Sequence, residues 1–227
     1  MLFRSLDSTK QKIAQSKINE QPFEYIVIDN FLDIPDPEEF YKGLQQNQQL
    51  TENQLYNTQE NGSKRQFTAS NGNPFLQELL DVFSNDDLAQ SIADRFGFDQ
   101  KLYPDITFEG GGLTFSPPGT FLRYHGDFNF SSRAQKYRVI NAILYLNHGY
   151  KTGDGGQLHL VDPHSDTVER IVEPVFNRCV IFKTSKDTPH GVNRNGENFT
   201  RVSFNSYFYA DRPLLEEQSQ PHRTLWK

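Results

Sequence analysis

Cys179 is the only cysteine in the chain, so no intrachain disulfide and no thiolate zinc cluster can form. It lies in the apolar run Cys179-Val180-Ile181-Phe182, the setting of a buried structural thiol. An excess of basic charge is missing too. There are 23 Lys and Arg against 29 Asp and Glu, a net charge of −6, which argues against a general phosphate-backbone binder and so against a nucleic-acid partner. No apolar run approaches the roughly 18 residues needed to cross a bilayer, and the opening segment from Met1 to Lys12 lacks the apolar stretch of a secretory signal. These absences predict a cytoplasmic protein in a reducing compartment, with no membrane partner. Internal repeats and low-complexity linkers are absent as well, and the oligomeric state is left open.

Aromatic carbon, by contrast, is abundant: 19 Phe and 10 Tyr bring the aromatic content to 13% in a chain that is 35% hydrophobic. The mean hydropathy of −0.70 is polar, yet so many rings demand a core. The 227 residues suit one domain. Residues 1–103 read as mostly helical support after one strand, Tyr25–Asp29. Asp36-Pro37-Glu38-Glu39, Asn73-Pro74-Phe75-Leu76 and Asp86-Asp87-Leu88 each open a helix with a capping side chain, a Pro or acidic residues in the first turn. The Gln- and Asn-rich segment Gln45–Ser70 is expected to be a mobile loop, of the kind that serves as a lid.

From residue 104 to 211 the rhythm changes to short strands cut by Gly, Pro and Asn. The expected strands are Thr107–Phe115, Thr120–Gly126, Tyr137–Leu146, Gln157–Val161, Glu169–Val172, Arg178–Lys183, Gly191–Asn193 and Arg201–Tyr209. Eight short strands without intervening helices predict a mainly β fold with N-terminal helices, built on a double-stranded β-helix (jelly roll, cupin-like) core, with 212–227 as a tail. Alternation assigns faces. Arg201, Ser203, Asn205 and Tyr207 share one side of their strand and Val202, Phe204 and Phe208 the other; Ile140, Ala142, Leu144 and Leu146 oppose Asn141 and Tyr145.

Three signals carry chemistry. In Tyr124-His125-Gly126-Asp127, residues two apart on a strand present an imidazole and a carboxylate to one ion, a donor set suited to iron(II), manganese or zinc. His190, in Thr188-Pro189-His190-Gly191, follows the buried strand and can supply a third ligand, completing two His and one carboxylate. Arg201 stands eleven residues beyond His190 on the polar face of its strand. A guanidinium there needs an anion, either a barrel carboxylate or a dicarboxylate ligand held by a bidentate pair.

These residues, with Leu144-Tyr145-Leu146-Asn147, Gly155-Gly156-Gln157-Leu158 and Phe115-Ser116-Pro117-Pro118-Gly119, resemble the 2-oxoglutarate/iron(II) dioxygenase superfamily, in its prolyl-4-hydroxylase-like branch. The likeness spans Phe115–Asp211. It implies that His125, Asp127 and His190 bind Fe(II), that Arg201 pairs with the distal carboxylate of 2-oxoglutarate, and that Tyr145, Leu158 and Ser203 line the cosubstrate. It implies hydroxylation of an unactivated C–H bond by O2, with succinate and CO2 as coproducts and ascorbate as an accessory reductant. Asp127 separates the chain from radical halogenases, which have Gly or Ala there, and Tyr207 from nucleic-acid dealkylases, which have a second Arg. Phe115 stands where relatives often have a hydrogen-bonding Tyr, so that contact is expected to be lost. Arg123, expected on the face of His125 and Asp127, is a candidate for binding a substrate carboxylate, with Arg133 and Arg138. His159, between Leu158 and Leu160, is a further candidate contact. The substrate is expected to be a small molecule such as a proline-like or other amino acid, or a peptidyl residue. A cupin-like metal- or sugar-binding module without turnover is the alternative; it requires Arg201 to sit in a structural ion pair.

Overall fold

The computed structural model describes residues 6–49, 54–58, 62–216 and 219–227. Four helices come first, α1 (Leu6–Gln15), α2 (Pro37–Gln45), α3 (Pro74–Phe83) and α4 (Asp86–Phe96). Their starts follow the capping chemistry. Asp36 Oδ1 accepts from Glu39 N at 2.9 Å, Asn73 Oδ1 accepts from the amides of Phe75 and Leu76, and Asn85 does the same for Asp87 and Leu88. Gly97 closes α4 in the left-handed conformation, φ 67°.

The strands are β1 (Tyr25–Ile28), β2 (Gln54–Thr58), β3 (Gly62–Phe67), β4 (Tyr103–Pro104), β5 (Gly112–Ser116), β6 (Leu122–Gly126), β7 (Phe130–Ser131), β8 (Lys136–Tyr145), β9 (Leu158–Val161), β10 (Val168–Val172), β11 (Cys179–Lys183), β12 (His190–Val192), β13 (Arg201–Ala210) and β14 (Leu225–Trp226). They form two antiparallel sheets. The larger runs β1-β11-β8-β13-β5-β3-β2, with β4 beside β13 and β7 beside β8; the smaller runs β10-β9-β12-β6-β14. Two facing sheets joined by long-range crossings are the double-stranded β-helix expected from the strand rhythm.

Two apolar layers hold it together. Ile140, Ala142 and Leu144 of β8 and Val202, Phe204 and Phe208 of β13 pack outward against Leu76, Leu79 and Phe83 of α3 and Leu88 and Ile92 of α4. The opposite face of β8, Ile143 and Tyr145, meets Leu158, Leu160, Val180 and Phe182 between the sheets. Cys179 is fully buried, and burial pushes its thiol well up, as a structural thiol requires.

Two expectations need correction. Residues 107–111 are not strand: Asp105 Oδ1 accepts from the Thr107 and Phe108 amides, Phe108 adopts φ 50°, and Gly110 and Gly112 take positive φ before β5 begins. A Cβ on Gly112 would lie 2.3 Å from Phe67 O, so only Gly lets β3 approach here. Within Gln45–Ser70 the structure has strands rather than a loop. β2 and β3 form an antiparallel pair and β3 joins β5 in register Arg65↔Phe115 and Phe67↔Leu113. Polar composition hid β3 because backbone pairing to β5 supplies its stability and only Phe67 joins the helix-side core. Residues 50–53 and 59–61 of that expected loop lie outside the described residues.

Candidate metal and cosubstrate site

A cavity opens between the sheets, about 690 Å³ including its mouth, and it contains all four residues of the sequence-derived constellation: His125, Asp127, His190 and Arg201. β6 and β12 run antiparallel with His190 directly opposite His125, their rings 4.5 Å apart between centroids. Asp127 follows β6. Its Oδ1 lies 3.5 Å from His125 Nε2 and its Oδ2 3.9 Å from His190 Nε2. One ligand atom from each side chain falls within 4.8 Å of the other two, a spacing that one ion can bridge.

The imidazoles are oriented from behind. His125 Nδ1 lies 2.8 Å from Arg123 O and His190 Nδ1 lies 3.1 Å from Thr188 O. A carbonyl only accepts, so Nδ1 carries the proton in each ring and Nε2 offers its lone pair to the cavity. Burial, reinforced by the neighbouring His125, pushes His190 down to about 4, leaving it neutral at physiological pH. For Asp127, burial acts upward, but the charge of Arg138 outweighs it and holds the carboxyl far below its usual range. A neutral His190 and an ionised Asp127 carboxylate are in the states that a divalent transition metal requires of its ligands.

Arg201, 6% exposed, donates from Nη1 to Ser203 Oγ at 2.9 Å, and its guanidinium carbon lies 5.1 Å from the Tyr145 ring centre. Among the described residues it meets no carboxylate, and Arg201 Nε and the Tyr145 hydroxyl are buried without hydrogen-bond partners. Buried donors of this kind suit a carboxylate ligand. Among the described residues Arg201 has no structural ion pair of the kind that the module without turnover requires. Leu158 forms an apolar wall beside it, and Ser203 lies beneath Arg201, fully buried.

The three basic substrate candidates part company. Arg138 is not at the rim: it is 3% exposed, 3.3 Å from Asp127 Oδ1, and clamped between the rings of Phe128 (3.6 Å) and Tyr207 (3.5 Å). With Asn141 Nδ2, which donates to Asp127 Oδ2 at 3.2 Å, it fixes the carboxylate, a role sequence reasoning missed. Strict alternation would put Arg138 on the helix-side face with Ile140 and Leu144, but the β8–β13 register shift between Phe208 and Tyr209 breaks it. Arg133 is exposed in the turn before β8. Arg123 points out of the cavity and donates to Lys227 O at 2.7 Å. The cause is a bulge. His190 faces His125 but Val192 faces Leu122, so β6 gains one residue against β12, and Leu122 and His125 both face inward. Gly191 permits it; a Cβ there would lie 2.6 Å from Tyr124 Cδ1 and 2.7 Å from Leu122 O.

Phe115 also faces away, edge-on to Phe67 in the helix-side core, while Thr114 and Ser116 line the cavity. It is no place for a cosubstrate contact whatever residue stands there. His159 lies outside the cavity with Nδ1 2.9 Å from the Tyr124 hydroxyl. Sequence reasoning missed a second neighbour of the metal ligands: Trp226 of β14 pairs with His125 and sets its ring 5.0 Å from that imidazole.

Residues 111–209 match the 2OG-Fe(II) oxygenase superfamily, a span that holds the whole barrel constellation and less than half of the chain. That span is similar to the oxygenases of this superfamily, which use Fe(II) and 2-oxoglutarate. Solved structures agree in fold. A Pseudomonas putida prolyl-4-hydroxylase is 23% identical with a TM-score of 0.61, covering 91% of this chain and 99% of that one. A Trichoplax adhaerens prolyl hydroxylase, in complex with a peptide fragment of the hypoxia inducible factor oxygen degradation domain, is 19% identical with a TM-score of 0.65, covering 91% and 92%. The epimerase SnoN, in complex with Fe3+, alpha ketoglutarate and nogalamycin RO, is 16% identical with a TM-score of 0.57, covering 91% and 84–85% in its two structures. Among curated proteins no sequence matches the chain. No helix among the described residues is long and apolar enough to cross a membrane.

Proposed function

We propose that the chain hydroxylates an unactivated C–H bond of a proline-like or other amino acid, free or within a peptide, with succinate and CO2 as coproducts. His125, Asp127 and His190 hold the iron; Arg201, with Ser203 and Tyr145, holds the far carboxylate of 2-oxoglutarate; Leu158 walls the cosubstrate; ascorbate serves as accessory reductant. Once bound, iron and 2-oxoglutarate supply the oxidising power drawn from O2. The chain's own residues bind and orient. Arg138 and Asn141 hold Asp127 ionised and fixed, the carbonyls of Arg123 and Thr188 aim the imidazoles, and Ile143 and Leu158 join Phe121, Leu122 and Val192 in the apolar part of the lining.

The observation that carries this reading is the buried Arg201, without a carboxylate among the described residues, in the same cavity as three convergent metal-ligand atoms. A peptidyl substrate draws support from the Trichoplax relative, whose complex contains a peptide. The test is anaerobic titration with iron(II) and 2-oxoglutarate, read by the weak visible charge-transfer band of the chelate. It is followed by succinate release and product mass across amino acids and peptides. A gain of one oxygen atom supports hydroxylation, and an isomer of unchanged mass points instead to epimerisation. Absence of the band overturns the assignment of the four residues.

A further inference from the structure

Beyond the mouth of the cavity a second, shallower groove runs over the outer face of β6 and β12, and Phe121 and Val192 line both. Its charged lining is wholly basic: Arg123, Arg194 and Lys227. Lys227 Nζ is committed to Asp166. The two arginines are exposed; Arg194 meets no carboxylate among the described residues, whereas Arg123 faces the main-chain oxygen of the last residue, Lys227. Each is nevertheless held in place. Arg123 Nη2 donates to Lys227 O; Arg194 Nη1 donates to Gly119 O and its guanidinium carbon lies 4.6 Å from the Phe121 ring centre. A guanidinium carries five N–H donors, so most of each fork remains available to an anion.

Three basic side chains gathered on one groove, with Arg194 meeting no carboxylate among the described residues, are unexpected on a chain of net charge −6. They flank a groove that leads away from the reacting centre, where a free amino acid seated in the cavity would not reach. An extended peptide advances about 3.3 Å per residue, so a residue held at the metal places its neighbours along Phe121 and Val192. Resting on the function proposed above, we infer that the substrate is a polypeptide segment carrying acidic residues beside the residue that reacts, and that Arg123 and Arg194 select it. This returns Arg123 to substrate recognition, but from the outer groove.

The experiment uses the full chain loaded with manganese(II) and 2-oxoglutarate, which does not turn over. Three fluorescein-labelled peptides share a central proline and differ only in flanking glutamates, glutamines or lysines; binding is followed by fluorescence anisotropy at low and high salt. The glutamate peptide should bind about 5- to 10-fold more tightly than the glutamine peptide at low salt, with the advantage shrinking as salt screens it. The preference should vanish in an Arg123→Gln, Arg194→Gln double variant whose 2-oxoglutarate binding is unchanged, and Arg194→Glu should shift it toward the lysine peptide. Equal binding of the three, no binding of any, or a preference that survives the double variant overturns the inference. The iron charge-transfer band is read on the same preparation. If it is present while the preference is absent, only this inference falls; if it is absent, the oxygenase site falls first.

Discussion

Arg201→Met separates a ligand-binding arginine from a structural one. Methionine keeps the aliphatic stem packed against Tyr145 and removes the charge. In the ligand-free protein Arg201 is 6% exposed and meets no described carboxylate, so its desolvation is offset only by Ser203 and the Tyr145 ring. Exchanging a poorly compensated buried ion for an apolar side chain should therefore stabilise the apo-protein, by about 1–3 kcal/mol. Affinity for 2-oxoglutarate should move the other way. Losing the charged partner of a buried carboxylate costs about 3 kcal/mol, on the order of 100-fold. At a 2-oxoglutarate concentration about 100 times the wild-type Kd, the wild type should gain roughly 2.7 kcal/mol and the variant only roughly 0.4 kcal/mol. Chemical denaturation with and without 2-oxoglutarate, in manganese-loaded and metal-free protein, measures both terms. A variant that is less stable without ligand yet keeps the full 2-oxoglutarate effect would refute the reasoning, because Arg201 would then serve the fold.

Arg138→Met should do the reverse, leaving Asp127 buried beside no cation and costing the apo-protein about 3–5 kcal/mol, part of which manganese(II) should restore; an equal loss with and without metal would count against the Arg138–Asp127 pairing. For His190 the folded value of about 4 lies below the ordinary 6.5, so the unfolded chain takes up the proton first as pH falls. Apo stability is then whole above about pH 6.5 and declines toward pH 4 by roughly 3 kcal/mol, a fall that urea midpoints at pH 7.5, 5.5 and 4.5 should register and that His190→Gln should flatten. Gly191→Ala places a Cβ against Tyr124 and the Leu122 carbonyl, which must push β6 and His125 aside. Manganese affinity should drop about tenfold, and an unchanged affinity would show that the bulge does not hold His125.

The metal constellation was legible because it rests on short periods. His125 and Asp127 are two apart, and Arg201, Ser203, Asn205 and Tyr207 alternate along β13, so local pleat is enough to aim them. Failures came where pairing between distant strands sets the phase. Arg123 obeys the same two-residue spacing as Asp127, but the bulge opposite Gly191 turns it outward, and no count along β6 alone reveals an extra residue in a ladder. Arg138 reads as a surface charge until Asp127, Phe128 and Tyr207 are brought around it from two other elements. The β2–β3 pair was invisible for a related reason: its order comes from hydrogen bonds to β5, whereas hydropathy reports side chains. The helix starts were readable since a cap and its amides lie within three residues.

Arg138 also changes the charge argument for the site. From sequence, iron(II), the Asp127 carboxylate, the 2-oxoglutarate dianion and the Arg201 guanidinium sum to neutrality. The structure adds the buried Arg138 cation, so the loaded centre carries an excess positive charge. Lys64 also stands in the cavity wall, where burial and the neighbouring Arg201 push its amine down to about 8. Within the described lining Asp127 is the sole carboxylate, and Arg138 already engages it. Charge left over in a partly desolvated cavity is costly unless the incoming molecule balances it. The positive excess in the cavity and the basic side chains of the adjoining groove, Arg194 above all, therefore favour the same substrate, one that brings its own carboxylates. A preference for basic peptides would require an acidic side chain in that lining beyond Asp127, and none of the described lining residues provides one.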